Sequence, residues 1–503
     1  MFKKVLVANR GEIAIRVIRA CRELGVDTVA VYSEADAESL HIQYADECYC
    51  IGPADPAQSY LNIDKIVDVA KKSNCEAIHP GYGFLSQIPA FTKACEENEL
   101  EFIGPSSEVL QKMSSKTEAR KIAVKAGVPI IPGSVKPARS VEEALEMAEK
   151  VGYPVLVKPV YGGGGKGMRM VMDKDEMQRT LELAAIEAEA SFGSREIYVE
   201  QFFPRARHIE FQVLADKKMK IIHLGERECS LQRRYQKLIE ETPSSFMTDE
   251  LREEMGKDAI KIAKAVNYVS AGTVEFLVNQ YGDYYFLEMN TRLQVEHLIT
   301  EMVTGGDIVK AQIKIGAGEK LECRQDDITM RGHAINCRIN AEDSYNNFMP
   351  CPGTVTRFHP PGGPGIRIDT HLYAGYSISV FYDPLIAKLA SWGLNREESI
   401  QRMKNALNEF TIEGVKTTIP FHRKIMENDC FLKGDVHINF IEERIRELLP
   451  EQVLEDEEAA AIVALLVNHI ERRDIQAVVP RREPKAVSLW KLASRVKRQR
   501  RIP

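Results

Sequence analysis

The chain of 503 residues carries 67 Lys and Arg against 73 Asp and Glu, a net charge of −6, with 44% apolar and 28% charged residues. That length exceeds what one hydrophobic core organises and predicts roughly three domains. The composition is that of a soluble globular enzyme, and its acidic balance argues against nucleic acid or anionic membrane as a general partner. The opening run from Met1 to Arg10 is too short in apolar residues for a signal peptide, and no later run is long enough to span a bilayer. The ten cysteines, scattered from Cys21 to Cys430 with no CxxC, predict free thiols in a reducing cytosol rather than a disulfide framework or zinc site.

In chain order, Val5–Ala8 reads as a strand, broken by Asn9-Arg-Gly-Glu12. Residues Ile13 to Leu24 have helical periodicity and stop at Gly25, and Asp27–Ser33 reads as the next strand. This βαβ rhythm predicts a parallel, doubly wound sheet. The first turn has no GxGxxG, which argues against a nicotinamide cofactor. The stretch His79-Pro-Gly-Tyr-Gly-Phe84 is a turn at a strand end, where open α/β sheets place ligand contacts. A second region begins near Ser115 with a helix from Thr117 to Ala126, then a strand Pro154–Pro159, and runs to about Gly318. A third, roughly Arg331 to Leu449, contains strand-like His333–Ile339 and Gly353–Phe358 before a Pro/Gly turn at Pro360–Pro364. From about Pro450 the composition changes to an acidic cluster, an Ala-rich helical run and a basic end.

Three constellations carry chemistry. The run Gly162 to Gly167 leaves backbone N–H groups free to approach an anion, and Lys166 adds charge. Gly167 stands where a Walker A loop needs Ser or Thr, so this is either another phosphate loop or a surface loop. Lys158 on the preceding strand favours the phosphate reading. Next, Ser270–Val278 and Tyr284–Asn290 read as two strands joined by Asn279–Asp283. Alternation puts Glu288 and Asn290 on one face, and Arg292, Gln294 and Glu296 continue that parity while the chain stays extended. With Glu275 these are hard oxygen donors suited to magnesium, or else a solvated edge strand. Third, Glu226 to Lys237 is a charged run that reads equally as an anion site or a solvated face. Arg338 lies among apolar neighbours and needs an anionic partner.

Together these motifs resemble the biotin carboxylase family within the ATP-grasp superfamily, over about residues 1 to 447. The resemblance rests on Ala8–Ala14, His79–Leu85, Gly162–Arg169, Gln232-Arg-Arg, Glu288–Arg292, Gln294–His297, Gly332–Ile335 and Arg338–Asp343. It implies a multidomain α/β and α+β architecture. An N-terminal doubly wound, Rossmann-like domain (1–114) would be followed by an ATP-grasp domain (115–330) with a mobile lid (about 130–203). A mixed α+β C-terminal domain (331–449) and a tail (450–503) would complete the chain. It implies that Lys116, Lys158, Gly163, Gly164, Gly165, Lys166, Gly167, Met168, Glu200, Gln201, Phe203, His208, Gln232, Glu275 and Glu288 bind ATP. Magnesium or manganese would be held by Glu275, Glu288 and Asn290. Bicarbonate would meet Lys237, Arg292, Gln294 and Val295, with Glu296 as its base, and biotin would meet Tyr82 and Arg338.

The implied reaction carboxylates biotin on a separate carrier protein through carboxyphosphate, as the first half-reaction of pyruvate carboxylase or of an acyl-CoA carboxylase. The implied partners are a subunit bearing the biotin carrier and carboxyltransferase, and a second copy in a homodimer, in the cytoplasm. Another ATP-grasp ligase, or a non-catalytic ATP-binding subunit, are the competing readings. The chain departs from the family pattern at Gln87-Ile88, Ser114-Ser115, Val160-Tyr161, Tyr235, Leu298 and Asn336. No Ala-Met-Lys-Met biotinylation motif is found. The tail, with Trp490 among cations, reads as a solvated terminus or a partner-docking element.

Overall fold

The computed structural model describes residues 1–133, 138, 140–159, 169–192 and 196–449. The expected glycine loop, with Gly163, Gly164, Gly165, Lys166, Gly167 and Met168, lies outside the described residues, as do Val160-Tyr161 and the tail 450–503.

The N-terminal region is a parallel sheet of five strands in the order β3-β2-β1-β4-β5. They are β1 (Lys4–Val7), β2 (Asp27–Ser33), β3 (Glu47–Gly52), β4 (Ala77–His79) and β5 (Glu101–Phe102). Covered on both faces, such strands read as continuous apolar runs, and Val5, Leu6 and Val7 are fully buried. The strand order reverses between β1 and β4, and the residues after these strands meet in the resulting crevice. Asn9 Nδ2 donates to the carbonyls of Pro80 at 2.8 Å and Tyr82 at 2.7 Å. Gly81 permits this: its φ is +63°, and a Cβ there would meet Asn9 Nδ2 at 2.9 Å. The turn that carries Tyr82 and Gln87 is thereby pinned at the mouth of the crevice.

The centre is an eight-stranded sheet. Its first five strands in sequence are β9 (Arg207–Ala215), β10 (Ile221–Arg233), β11 (Gln236–Thr242), β12 (Ser270–Val278) and β13 (Tyr284–Asn290). They pair antiparallel in the order β13-β12-β9-β10-β11. The sheet then continues without a break through β14 (His333–Asn340) to the strands Leu385–Gly393 and Ile366–Thr370. The second and third regions of the sequence therefore share one sheet. The strand read at Gly353–Phe358 is instead two short pieces, Gly353–Thr354 and Arg357–His359, which pair with Ser377–Ile378 and Thr411–Glu413. Val355, between them, is fully buried.

Within the expected lid, β6 (Val155–Pro159), β7 (Arg169–Val171) and β8 (Ile197–Gln201) form a separate antiparallel sheet in the order β7-β6-β8. The helices Val141–Val151 and Lys174–Phe192 give it its own core around Ala144, Val157, Met177 and Leu181. Among the described residues no helix is long and apolar enough to cross a membrane. All ten cysteines are free.

Candidate active site

Strand register builds the site. Glu210 on β9 faces Arg227 on β10 to one side and Glu275 on β12 to the other, and Glu275 in turn faces Glu288 on β13. Three carboxylates thus stand in one row across adjacent strands. Like charges placed directly opposite each other repel unless cations intervene. Lys237, entering from β11, supplies one: its ammonium lies 2.5 Å from Glu210, 2.8 Å from Glu275 and 2.9 Å from Glu296. Arg227, with no exposed surface, supplies another, donating to Glu210 at 2.6 Å and to Gln294 at 2.7 Å. Its remaining N–H groups reach Gln212, Thr300 and Thr273.

Glu275 also accepts from Asn290 Nδ2 at 2.9 Å and Gln294 Nε2 at 2.8 Å, and its other oxygen lies 3.0 Å from His208 Nε2. Burial would raise its pKa, but Lys237 and His208 outweigh burial and hold it well below the ordinary carboxylate range. Glu288 is different. Its side chain opens to the cleft, and among the described residues it forms no ion pair. Desolvation by the cleft walls, then the Glu275 charge, raise its pKa. A hard cation shared by Glu275, Glu288 and the Asn290 oxygen would relieve that repulsion, so the donor set fits magnesium or manganese.

Glu296 lies between two cations. Its Oε1 accepts from Lys237 at 2.9 Å and its Oε2 from Arg338 at 2.9 Å, while Arg338 also donates to Glu240 at 2.6 Å. Burial pushes the Glu296 pKa up, but Lys237, Arg338 and Arg227 together hold it well below the usual range. It is a carboxylate at neutral pH, the form a general base requires. Lys237 is pressed downward by burial and lifted well above its ordinary value by Glu210, Glu275 and Glu296.

The structure brings Lys237, Arg292, Gln294, Glu296, Arg338, Glu275, Glu288 and Asn290 around one cleft, though not by the parity expected. β13 ends at Asn290, residues 291–296 leave the strand, and Glu296 precedes the helix His297–Thr304. Arg292, Gln294 and Glu296 are placed by this turn rather than by alternation. The charged run Glu226–Lys237 is no solvated face either. It is a hairpin whose Arg234 and Tyr235 have positive φ, and Glu226, Arg227, Glu228 and Gln232 are buried. Arg207 pairs with Glu228 at 2.8 Å.

The other expected ligand residues lie on the lid side or at the crevice. Glu200 on β8 pairs with Arg120 at 2.8 Å and with Lys158 on β6. Desolvation and then the Lys158 charge lower the pKa of Lys116. Phe203 stacks on Tyr285 with ring centres 5.1 Å apart, and Gln201 is tied through its backbone to Pro132. Val295 is half-buried in the turn after β13. The Tyr82 hydroxyl donates to Glu12, whose other oxygen lies 2.9 Å from the fully buried Lys388 ammonium.

Sequence reasoning missed Glu210, Gln212, Arg227 and Glu240, and left Gln87 without a partner. In Arg207–Ala215 a signal was present: His208, Glu210 and Gln212 alternate with Ile209, Phe211 and Val213, a polar face on an otherwise apolar strand. For Arg227 and Glu240 no such signal exists, because irregular register between β10 and its neighbours breaks the alternation.

Residues 1–110 match the family described as biotin carboxylase, N-terminal domain, and residues 336–443 the biotin carboxylase C-terminal domain. Residues 115–324 match the carbamoyl-phosphate synthase L chain, ATP binding domain. A pyruvate carboxylase subunit of Methanothermobacter thermautotrophicus is 53% identical over 461 residues, 91% of this chain and 94% of that protein. Biotin carboxylase 1 of Bacillus subtilis is 52% identical over 444 residues, 88% of this chain and 98% of that protein. A solved structure of the biotin carboxylase domain dimer of Hydrogenobacter thermophilus 2-oxoglutarate carboxylase, in complex with MgADP, ADP and bicarbonate, is 49% identical. It superposes with a TM-score of 0.86 over 89% of this chain and 99% of that one.

Proposed function

The chain belongs to the biotin carboxylase family of ATP-dependent ligases, and we propose that the cleft around Lys237 and Glu296 performs carboxylation of biotin from bicarbonate. The observation that carries the assignment of roles is the placement of Glu296 at 2.9 Å from both Lys237 and Arg338, within electrostatic reach of Arg292. One ionised carboxylate, buried between two cations, is the arrangement needed to take a proton from a bound oxyanion.

In this reading Lys237, Arg292, Gln294 and Val295 hold bicarbonate, and Glu296 takes its proton. The Glu296 carboxylate grows more basic as substrate draws Lys237 or Arg338 away from it. The bicarbonate oxygen attacks the γ-phosphorus of ATP, ADP leaves, and carboxyphosphate forms. Its C–O bond breaks to give CO2 and phosphate. The phosphate takes the proton from biotin N1, Arg338 balances the resulting enolate, and N1 attacks CO2. Lys116, Lys158, Glu200, Gln201, Phe203, His208 and Gln232, with the glycine loop 162–167, hold ATP, and Tyr82 flanks biotin. Glu275, Glu288 and Asn290 would hold a magnesium or manganese ion, which neutralises phosphoryl charge when bound.

The biotin comes on a carrier protein, the carboxyltransferase stands on a separate polypeptide, and the chain works as a homodimer in the cytoplasm. The dimer in the Hydrogenobacter structure supports the second copy, and the naming of the Methanothermobacter relative as one subunit of a carboxylase supports the separate polypeptide. Pyruvate is the favoured final acceptor on the same ground, and acetyl-CoA is the second reading, supported by the near-equal identity to a protein named simply biotin carboxylase. The test is ATP cleavage with and without bicarbonate and free biotin. Cleavage that needs bicarbonate and rises with biotin supports the reading, and bicarbonate-independent cleavage defeats it. Reconstitution with carrier and carboxyltransferase, offering pyruvate or acetyl-CoA, decides the acceptor.

A further inference from the structure

We propose that Glu12 is a positioning residue for biotin: it accepts the proton of the Tyr82 hydroxyl in a hydrogen bond and so fixes the Tyr82 ring relative to the sheet row that carries Arg338. The inference rests on the reading above that Tyr82 and Arg338 meet biotin.

Tyr82 is fastened at two points by residues that follow β1. Its carbonyl accepts from Asn9 Nδ2 at 2.7 Å, and its hydroxyl donates to Glu12 Oε1 in the first turn of the helix Gly11–Glu23. The side chain between these anchors is half-buried, with the Lys388 ammonium 5.8 Å from the ring centre. A tyrosine hydroxyl has one proton to donate. Glu12 takes it, so Tyr82 presents biotin with a placed ring and not with a donor.

Glu12 is held in turn from its far side. Its Oε2 lies 2.9 Å from Lys388, whose side chain has no exposed surface. With or without a proton on Oε2, Oε1 remains an acceptor. Strand register places Lys388: it stands directly opposite Arg338 on β14 and, on its other side, opposite Asp369. Directly opposed side chains share a face, so Arg338, Lys388 and Asp369 form one row across three strands. Asp369 lies 3.6 Å from Lys388 and accepts from Arg367 at 3.0 and 2.9 Å. Both biotin contacts are therefore referred to one row, Arg338 as a member of it and Tyr82 through Glu12 and Lys388. A buried ion pair is seldom more stabilising than well-packed apolar residues of the same volume. What this pair adds is direction, a carboxyl group with one oxygen fixed and the other aimed at Tyr82.

Two neutralised variants that differ only in the acceptor at residue 12 test this. Glu12→Gln/Lys388→Met keeps an oxygen for Tyr82, Glu12→Leu/Lys388→Met removes it, and Asp369 keeps Arg367 in both. Melting curves establish folding, and ATP cleavage gives KM for free biotin, bicarbonate and MgATP. KM for biotin should be roughly three- to tenfold higher in Glu12→Leu/Lys388→Met than in Glu12→Gln/Lys388→Met, the scale of ordering one freed side chain on binding. KM for bicarbonate and for MgATP should be equal in the two. Tyr82→Phe cuts the same tether from its other end with the buried pair intact. It should raise KM for biotin by a similar factor, yet add nothing to Glu12→Leu/Lys388→Met, as expected of two residues acting through one contact. Equal KM for biotin in the two double variants, or a Tyr82→Phe value within about twofold of wild type, overturns the tether and leaves the proposed function standing. A rise shared by bicarbonate and MgATP makes Glu12 a structural residue and overturns it too. Wild-type cleavage that biotin does not stimulate overturns the assignment of Tyr82 to biotin itself.

Discussion

Glu275 and Glu288 stand directly opposite each other across β12 and β13. Glu275 is tied by Lys237, Asn290 and Gln294, whereas Glu288 opens to the cleft. Opposed like charges cost a sheet on the order of 0.2–1 kcal/mol. Glu288→Gln should therefore leave the protein, without metal and nucleotide, as stable as wild type or slightly more so, while metal-dependent ATP cleavage falls sharply. Melting curves and an assay across magnesium concentrations measure both. Near-normal turnover at ordinary magnesium removes Glu288 from the metal site, and a large drop in melting temperature makes it a structural residue.

Glu296 supplies a second prediction. A positioned general base contributes about 10²–10⁴-fold to rate. Glu296→Gln keeps the shape, so bicarbonate-dependent ATP cleavage should fall by roughly that factor while nucleotide binding persists. Equilibrium binding of a fluorescent ATP analogue separates the two effects. A loss below about threefold assigns the proton to another group.

The parts of this molecule legible in its sequence are those set by local periodicity. The β1–helix–β2 unit, the helix Lys116–Lys125 and the hairpin of β12 and β13 follow from apolar runs, alternation and turn residues. The row Arg227–Glu210–Glu275–Glu288 follows from register between strands distant in sequence, which no local pattern encodes. Parity links Glu288 to Glu296 only while the chain stays extended, and it does not, because the strand ends at Asn290 and residues 291–296 leave it. The burial of Glu226, Arg227 and Glu228 was equally hidden: a charged run looks solvated until each charge meets its partner, here Arg252, Glu210 and Arg207.

Arg227 tests how far that row depends on its end. With no exposed surface and five hydrogen bonds, it neutralises Glu210 and orients Gln294. Removing one member of a buried pair costs about 3–5 kcal/mol because the other charge is stranded. Arg227→Met should lower the urea midpoint accordingly, and adding Glu210→Gln should restore part of the loss. A single variant that unfolds within about 1 kcal/mol of wild type shows that Lys237 compensates Glu210 unaided.

Acid sensitivity follows from the buried histidines. Burial holds His41 at about 4, His79 at about 3, His371 at about 3 and His422 at about 4. Unfolded histidine takes up a proton near pH 6.5, so between about pH 6.5 and 4 the unfolded chain binds more protons at these sites. Stability from them is therefore present above pH 6.5 and is lost as the pH falls. Glu12 opposes this: burial, against the pull of Lys388, raises it to about 7. The folded chain keeps that proton where the unfolded one has released it, which favours folding as the pH drops from 7 towards about 4.5. His297, His223 and His437 are lowered by burial too, while Glu228, Glu240, Glu288 and Glu342 are raised as Glu12 is, so the histidines outnumber the opposing carboxyls, each unmatched proton contributing on the order of 1.4 kcal/mol per pH unit. The urea midpoint should fall between pH 7 and pH 5, and it should fall more steeply in Glu12→Gln, where the opposing proton is gone. A midpoint that is level across this interval means these histidines are already charged in the folded protein. A shallower slope in the variant means that Glu12 is ionised beside Lys388 throughout.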